Sequence, residues 1–362
     1  MRTSPTINKN YSFSPTCALP YQTRILLIET HTYMKNTSNT WPDWYSTLDA
    51  FRRSRPLKSV WQLINTLLPY GALWYLMIWT VQNDYPYWTT LLLAIPAAGF
   101  LVRVFILFHD CTHGSFFRSP RANALVGYIL GILVFTSFED WRRHHLKHHS
   151  TYGDLDARGY GDVWTMTLQE YQDASKQDKL KYRIYRHPLV IFGLGGLYNF
   201  LIQHRFADDL SGPREKRGLL LMNVLILAVI STAVLTIGWK TYLAIQLPII
   251  WMAGAAGIWL FYVQHQFEGV YWSRKGDFDQ VTAGLKGSSF FDLPGILRWF
   301  SGNIGYHHIH HISGLIPNYE LKKCYDAIGE LRIQNPLNLR NSWSCAGLKL
   351  WDESDQKLVP FP

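Results

Sequence analysis

Ten of the 14 histidines fall in three short windows. His109 and His113 lie in "HDCTH", His144, His145, His148 and His149 in "HHLKHH", and His307, His308, His310 and His311 in "HHIHH". Each helical residue turns by roughly 100°, so positions i and i+4 share a face, and so do i, i+3 and i+4. His109/His113 fit the first spacing, while His145/His148/His149 and His307/His310/His311 fit the second. His144 and His308 turn about 100° off those faces and are the expected non-ligands. His265 stands alone, just after an apolar run. Imidazoles gathered this closely repel one another when protonated, and burial favours the neutral ring, whose lone pair a metal accepts. All-imidazole ligation suits iron, zinc, copper or nickel rather than calcium or magnesium, and eight or nine ligands imply two ions. Neutral ligands leave two cations electron-poor, which suits a strongly oxidising centre. Three further histidines, His31, His187 and His204, read as ordinary core or surface residues.

The elements that must carry these rings are membrane helices. Hydrophobic residues make up 48% of the 362-residue chain and charged residues 17%, which fits a few spans with a large polar part on one side. Four stretches are long and apolar enough to cross about 30 Å of hydrocarbon: residues 61–80, 88–108, 219–237 and 241–263. Their short connectors, "VQNDYPY" and "GWK", pair them as two hairpins. Two shorter apolar stretches, 122–138 and 188–203, read as interfacial or half-buried helices, with one or two further crossings as the alternative. Arg52, Arg53, Arg55 and Lys58 precede the first span, and Arg118, Arg121, Arg142, Arg143 and Lys147 follow the second, whereas the first connector has no Lys or Arg. The positive-inside rule then places both termini and all the histidine windows on the cytoplasmic side. A net charge of +9 in this setting speaks for anionic lipid rather than nucleic acid. Four scattered cysteines form no CxxC pair and read as reduced thiols. Residues 1–45 read as a disordered leader, with Met34 a candidate true start, and residues 46–362 as a single domain.

"FHDCTHGSFF" (108–117), "WRRHHLKHH" (141–149) and "GNIGYHHIHH" (302–311) resemble the three histidine boxes of membrane fatty acid desaturases, HxxxH, HxxHH and HxxHH, in that order. The stretches around them, among them "STYGDLDARGYGDVWTMTLQEY" and "GSSFFDLPGILRWFSGNIGYHHIHHISGLIPNYEL", are similar to the bacterial delta-12 (omega-6) acyl-lipid group from about residue 45 to the end. The resemblance implies an all-α integral membrane protein of four spans plus interfacial helices, with a cytoplasmic helical cap holding the metals. It implies residence in a plasma (inner) membrane, two non-haem iron ions, O2 as co-substrate, and two electrons from a small donor, ferredoxin-like or a b-type cytochrome. The substrate is then a membrane-lipid acyl chain that gains a cis double bond, most specifically oleoyl at delta-12. His109, His113, His145, His148, His149, His307, His310 and His311 match the box ligands, and His265 matches an additional ligand of related desaturases. Phe261 stands where some relatives carry Asn, and His144 offers an alternative to His145 within box two.

Carboxylates often orient ligating imidazoles through the second ring nitrogen; Asp110, Glu139, Asp154, Asp156, Asp162 and Glu268 are the candidates. Arg103, inside the second span, is expected to snorkel to the headgroups or to bind a lipid phosphate or carboxylate. Trp141, Trp259, Tyr262 and Trp299 are candidates to line an acyl tunnel or simply to pack. Two rival outcomes keep the centre, a membrane hydroxylase and a carotenoid ketolase. A third, a metal transporter, would place its ligands near the membrane midplane rather than at one face.

Overall fold

The apolar runs form long helices that turn back on themselves in a computed structural model, which describes residues 41–333 and 335–362. Helix α1, Pro56–Gln82, opens on a proline, whose missing N–H is one that a helix start leaves unpaired anyway. Helix α2, Tyr87–His113, returns beside it after a four-residue turn. The hydroxyls of Thr80 and Thr90, 2.9 Å apart, join the two next to that turn. Then come α3 (Pro120–Leu133), α4 (Phe138–Thr151), α5 (Leu168–Asp173), α6 (Lys176–Tyr185) and α7 (Gly195–Leu201). The second hairpin is α8 (Pro213–Ile237) and α9 (Trp239–His265), with only Gly238 between them. Four short helices follow: α10 (Gln280–Lys286), α11 (Gly295–Phe300), α12 (His307–Ile312) and α13 (Asn318–Ala327). Strand is confined to two small pairs among the described residues.

Helices α2, α8 and α9 are long and apolar enough to cross a membrane, with mean hydropathies of 2.4, 2.5 and 1.7 over their most apolar windows. Helix α1, the first of the four expected spans, matches α2 and α9 in length at 27 residues but falls below them in hydropathy, because Gln62, Asn65, Pro69 and several Trp and Tyr residues interrupt its aliphatic run. Its faces are nonetheless those of a lipid-facing helix: Ser59, Gln62, Thr66 and Thr80 are buried against the protein while Leu57, Trp61, Leu68 and Tyr75 point outward. A water-facing helix would show the reverse. The stretch expected as one interfacial helix over 122–138 breaks after Leu133, and α4 leaves α3 at an angle of 100°. That bend brings the second histidine window back over the end of α2. The 188–203 stretch forms a π-turn over Leu189–Leu194 followed by α7. Here α7 and α9 touch backbone to backbone: a Cβ on Gly196 would lie 2.6 Å from the Gly254 backbone.

Arg103 departs from expectation. It is 3% exposed and does not reach headgroups. Its Nε donates to Thr66 Oγ1 at 3.0 Å, its Nη1 donates to the Trp299 carbonyl, and its guanidinium lies 4.0 Å over the Trp299 ring. The reason is local. Helix α11 packs on α2 and turns its Trp299 carbonyl, whose second lone pair is free for another donor, toward the guanidinium, so the cation finds acceptors without leaving the protein.

One compact unit spans Trp41–Pro362. Expectations for residues 1–40, including the leader and Met34, lie outside the described residues.

Candidate metal centre

Four helix ends deliver the nine expected histidines to one place. His109 and His113 occupy the last turns of α2, His265 is the last residue of α9, His145, His148 and His149 lie on α4, and His307, His310 and His311 lie on α12. They divide into two groups. His109, His113, His145, His149 and His310 each offer a nitrogen, all within 4.8 Å of one another, and His148, His265 and His311 do the same a few ångströms away. His307 joins the second group, its Nε2 lying 3.0 Å from His265 Nε2. The His149 and His311 rings, stacked at 4.2 Å, stand where the two groups meet.

The division follows from helical rotation. Residues i and i+4 lie about 40° apart around a helix axis, whereas i+3 and i+4 lie about 100° apart. Each i, i+4 pair therefore stays together: His109/His113 and His145/His149 in the first group, His307/His311 in the second. The remaining histidine of each HxxHH window, His148 or His310, crosses to the other group. No box owns a group, and α4 and α12 each serve both.

Ring nitrogens point inward. Nε2 of His145 lies 2.9 Å from His109 Nε2 and 3.1 Å from His149 Nε2, and His148 Nε2 lies 3.3 Å from His265 Nε2. Nε2 of His113, His310 and His311 is buried with no hydrogen-bond partner. Among the candidate carboxylates, Asp162 accepts from His148 Nδ1 at 2.6 Å, with the two side chains 3% and 1% exposed. That bond fixes the proton on Nδ1 and leaves the Nε2 lone pair for the centre. Asp110 lies 3.5 Å from His109 Nδ1. The other four serve elsewhere or face solvent: Glu139 pairs with Arg214, Asp156 with Arg274, Asp154 caps a turn at Asp156, and Glu268 is exposed.

Burial first, then neighbouring imidazoles, hold His145, His149, His307, His310 and His311 well below the ordinary 6.5. Such rings stay neutral in the fold but take up protons when unfolded, so the unfolded state binds more protons as pH falls through 6.5. The metal-free protein should therefore lose stability progressively below about pH 6.5 and show little dependence from these groups above it. A series of unfolding temperatures in detergent from pH 8 to pH 5 tests this; a flat series would contradict it.

The two off-face histidines are engaged elsewhere. His144 hydrogen-bonds the Asp140 carbonyl through Nδ1 and Asp208 through Nε2, at 2.9 and 2.6 Å. His308 gives Nε2 to the Leu331 carbonyl at 2.9 Å, and burial lowers it to about 4. His204 is half-buried beside Thr136, and His187 bonds its own backbone turn at Leu189. Of the four aromatics weighed for a tunnel, only Trp141 meets the histidines, stacking on His145 at 4.3 Å. Trp259 and Tyr262 pack around Phe192, and Trp299 packs on Phe100 and Arg103.

Tyr152 was not singled out from the sequence. Its hydroxyl donates to the His265 carbonyl at 2.7 Å, and its ring lies 4.1 Å from His265. The available signal was spacing, since Tyr152 lies four residues after His148, as Trp141 lies four before His145 and Phe261 four before His265. Gly314 was also missed. A Cβ there would fall 2.4 Å from His113 Nδ1, a distance no packed atom tolerates. Gly314→Ala should displace His113 and lower metal content, read by elemental analysis of the purified protein; unchanged content would show that the ring yields harmlessly.

A cluster of neutral imidazoles with buried, unpartnered nitrogens aimed inward fits metal ions of the imidazole-loving kind. Residues 85–340 match the family described as fatty acid desaturase. The chain is 41% identical over 312 residues to a Bacillus subtilis protein named fatty acid desaturase, covering 86% of this chain and 88% of that one. It is 23% identical over 337 residues to the sn-1 oleoyl-lipid 12-desaturase of Synechocystis sp., covering 90% and 86% of the two chains. It is 26% identical over 241 residues to an sn-1 acyl-lipid omega-3 desaturase (ferredoxin) of Synechocystis sp., covering 62% and 63%. With box histidines, helix ends and relatives in agreement, this chain belongs to the fatty acid desaturase family of oxidoreductases.

Proposed function

We propose that the protein introduces a cis double bond at the delta-12 position of oleoyl chains in membrane lipid, with residues 46–362 acting as one catalytic domain. The observation that carries this reading is the convergence of nine imidazoles from four helix ends into two adjoining groups. The relative named as an oleoyl-lipid 12-desaturase supports the position of the bond. Two iron ions would be held, one by His109, His113, His145, His149 and His310, the other by His148, His265, His307 and His311. When bound, they supply with O2 the oxidising power to remove hydrogen from an unactivated C–H bond. In balance, –CH2–CH2–, O2, two electrons and two protons give –CH=CH– and two waters. The electrons would come from a small one-electron carrier, ferredoxin-like or a b-type cytochrome; the name of one relative records ferredoxin for that protein.

The chain's own residues position and shield. Neutral ligands keep both ions electron-poor, Asp162 fixes the tautomer of His148, and Trp141, Tyr152 and Phe261 cover the rings with apolar surface. The run of Arg and Lys before α1, absent from the turn before α2, supports a cytoplasmic side for the histidine-bearing helix ends, in a plasma membrane. The test is expression in a host that lacks polyunsaturated lipids. Gas chromatography should show linoleate formed at the expense of oleate, and the purified protein should carry close to two irons per chain. Hydroxy-acids alone would assign a hydroxylase, a diene at another position would move the regiochemistry, and stoichiometric zinc with no O2 consumption would defeat the reading.

A further inference from the structure

Asp110 is a carboxylate only 2% exposed, and among the described residues no Lys or Arg forms an ion pair with it. Its Oδ2 accepts from the backbone N–H and the side-chain Nδ2 of Asn318, both at 2.8 Å. Asn318 is itself fully buried, as the first residue of α13, where the positive end of the helix dipole favours an adjacent anion. Its amide cannot be reversed. An ionised carboxylate only accepts, so Nδ2 must face Asp110, and Oδ1 then accepts from Gln62 Nε2 at 2.8 Å. Gln62 Oε1 receives Asn318 Nδ2 in return at 3.1 Å, and the Asn318 carbonyl accepts from Asn303 Nδ2 at 3.0 Å. Every polar atom of Asn318 is thus committed, and the carboxylate it holds is fixed in position.

This leaves Asp110 Oδ1 facing His109 Nδ1 at 3.5 Å. That nitrogen is buried and has no hydrogen-bond partner. A buried ring nitrogen without a partner, costly to leave so, stands opposite a carboxylate oxygen just beyond bonding distance. In the second group His148 and Asp162 occupy the same relation already closed, at 2.6 Å.

We infer that Asn318, backed by Gln62, is a positioning residue for the metal centre. It holds the Asp110 carboxylate so that Oδ1 takes the Nδ1 proton of His109, leaving His109 Nε2 for the ion of the first group. Each group then has one carboxylate-held histidine, Asp162 on His148 and Asp110 on His109. The clamp for box one comes from α13, beyond box three, and is anchored on α1. This inference rests on the two-metal reading above.

The experiment is cobalt(II) titration of the full-length protein, stripped of metal in detergent, followed by its visible absorption bands. Wild type should bind two ions; failure to do so would sink the two-metal reading rather than this inference. Asn318→Ala should weaken one of the two ions by 10–100-fold and leave the other near its wild-type affinity, the range known for lost outer partners of metal ligands. Asp110→Asn should weaken the same ion, and Asp162→Asn the other. Unfolding temperatures of the metal-free variants supply the control. Two wild-type cobalt affinities in both Asn318→Ala and Asp110→Asn would overturn the inference. So would a fall in metal-free stability with both affinities intact, which would make the network structural only. Should Asn318→Ala fail to fold, Asp110→Asn, which keeps the shape of the side chain, carries the same test.

Discussion

Single alanine substitutions at His109, His113, His145, His148, His149, His265, His307, His310 or His311 each leave no detectable diene, whereas His308→Ala and His144→Ala retain desaturation. Loss of a mere outer partner typically costs 10–100-fold in metal affinity or activity. Removing a nitrogen from within one of these groups removes a ligand, and the neighbouring rings are held by four separate helices and cannot close over the gap. His308, by contrast, spends Nε2 on the Leu331 carbonyl, so its loss removes one buried hydrogen bond and some packing, about 1–3 kcal/mol of stability. His144 holds Asp140 and Asp208, outside both groups. The measurement is diene content corrected for protein level in the membrane. Activity in His307→Ala together with inactivity in His308→Ala would show that α12 presents its histidines in another register.

The second large effect is expected at Asp162. Asp162→Ala leaves the buried His148 Nδ1–H without an acceptor and frees the imidazole to exchange tautomers, which would turn its lone pair away from the centre. Metal affinity of the second group should fall by about 10–100-fold. The readout is iron retained after timed exposure to a chelator, with the whole loss confined to one of two irons. Asp162→Asn should lie between, because its amide oxygen can still accept from Nδ1 but carries no charge. Retention matching wild type in Asp162→Ala would show that His148 is oriented by its surroundings alone.

The histidine spacing made the centre legible, because rotation about a helix axis is a local property. It separated His145, His148 and His149 from His144 and gathered residues nearly two hundred positions apart by type alone. The same local rule also explains why each HxxHH window serves both groups. What it left open was tertiary. Six carboxylates looked equivalent in the sequence, and only the path of the loop after α4 decides that Asp162 reaches His148 while Asp156 turns outward to Arg274. The break between α3 and α4 has little local signal beyond Thr136 and Ser137, near the end of an otherwise mostly apolar run. Hydropathy also sees composition rather than facing, so α1, with its polar residues turned inward, is weaker by that measure than its outward Leu and Trp residues make it.

The buried Arg103 bears on how such a protein enters the bilayer. An arginine at the middle of an isolated helix costs about 2.5–3.5 kcal/mol at insertion. Thr66 can meet it as soon as α1 and α2 enter as a pair, but the Trp299 carbonyl lies 196 residues further along the chain and is translated much later. Until then the guanidinium must be satisfied by water or by phospholipid headgroups. Snorkelling thus belongs to the newborn chain and burial to the finished one. Packing of α11 on α2 then supplies the Trp299 carbonyl, so the buried setting of this charge is complete only once the segment leading into His307 has docked.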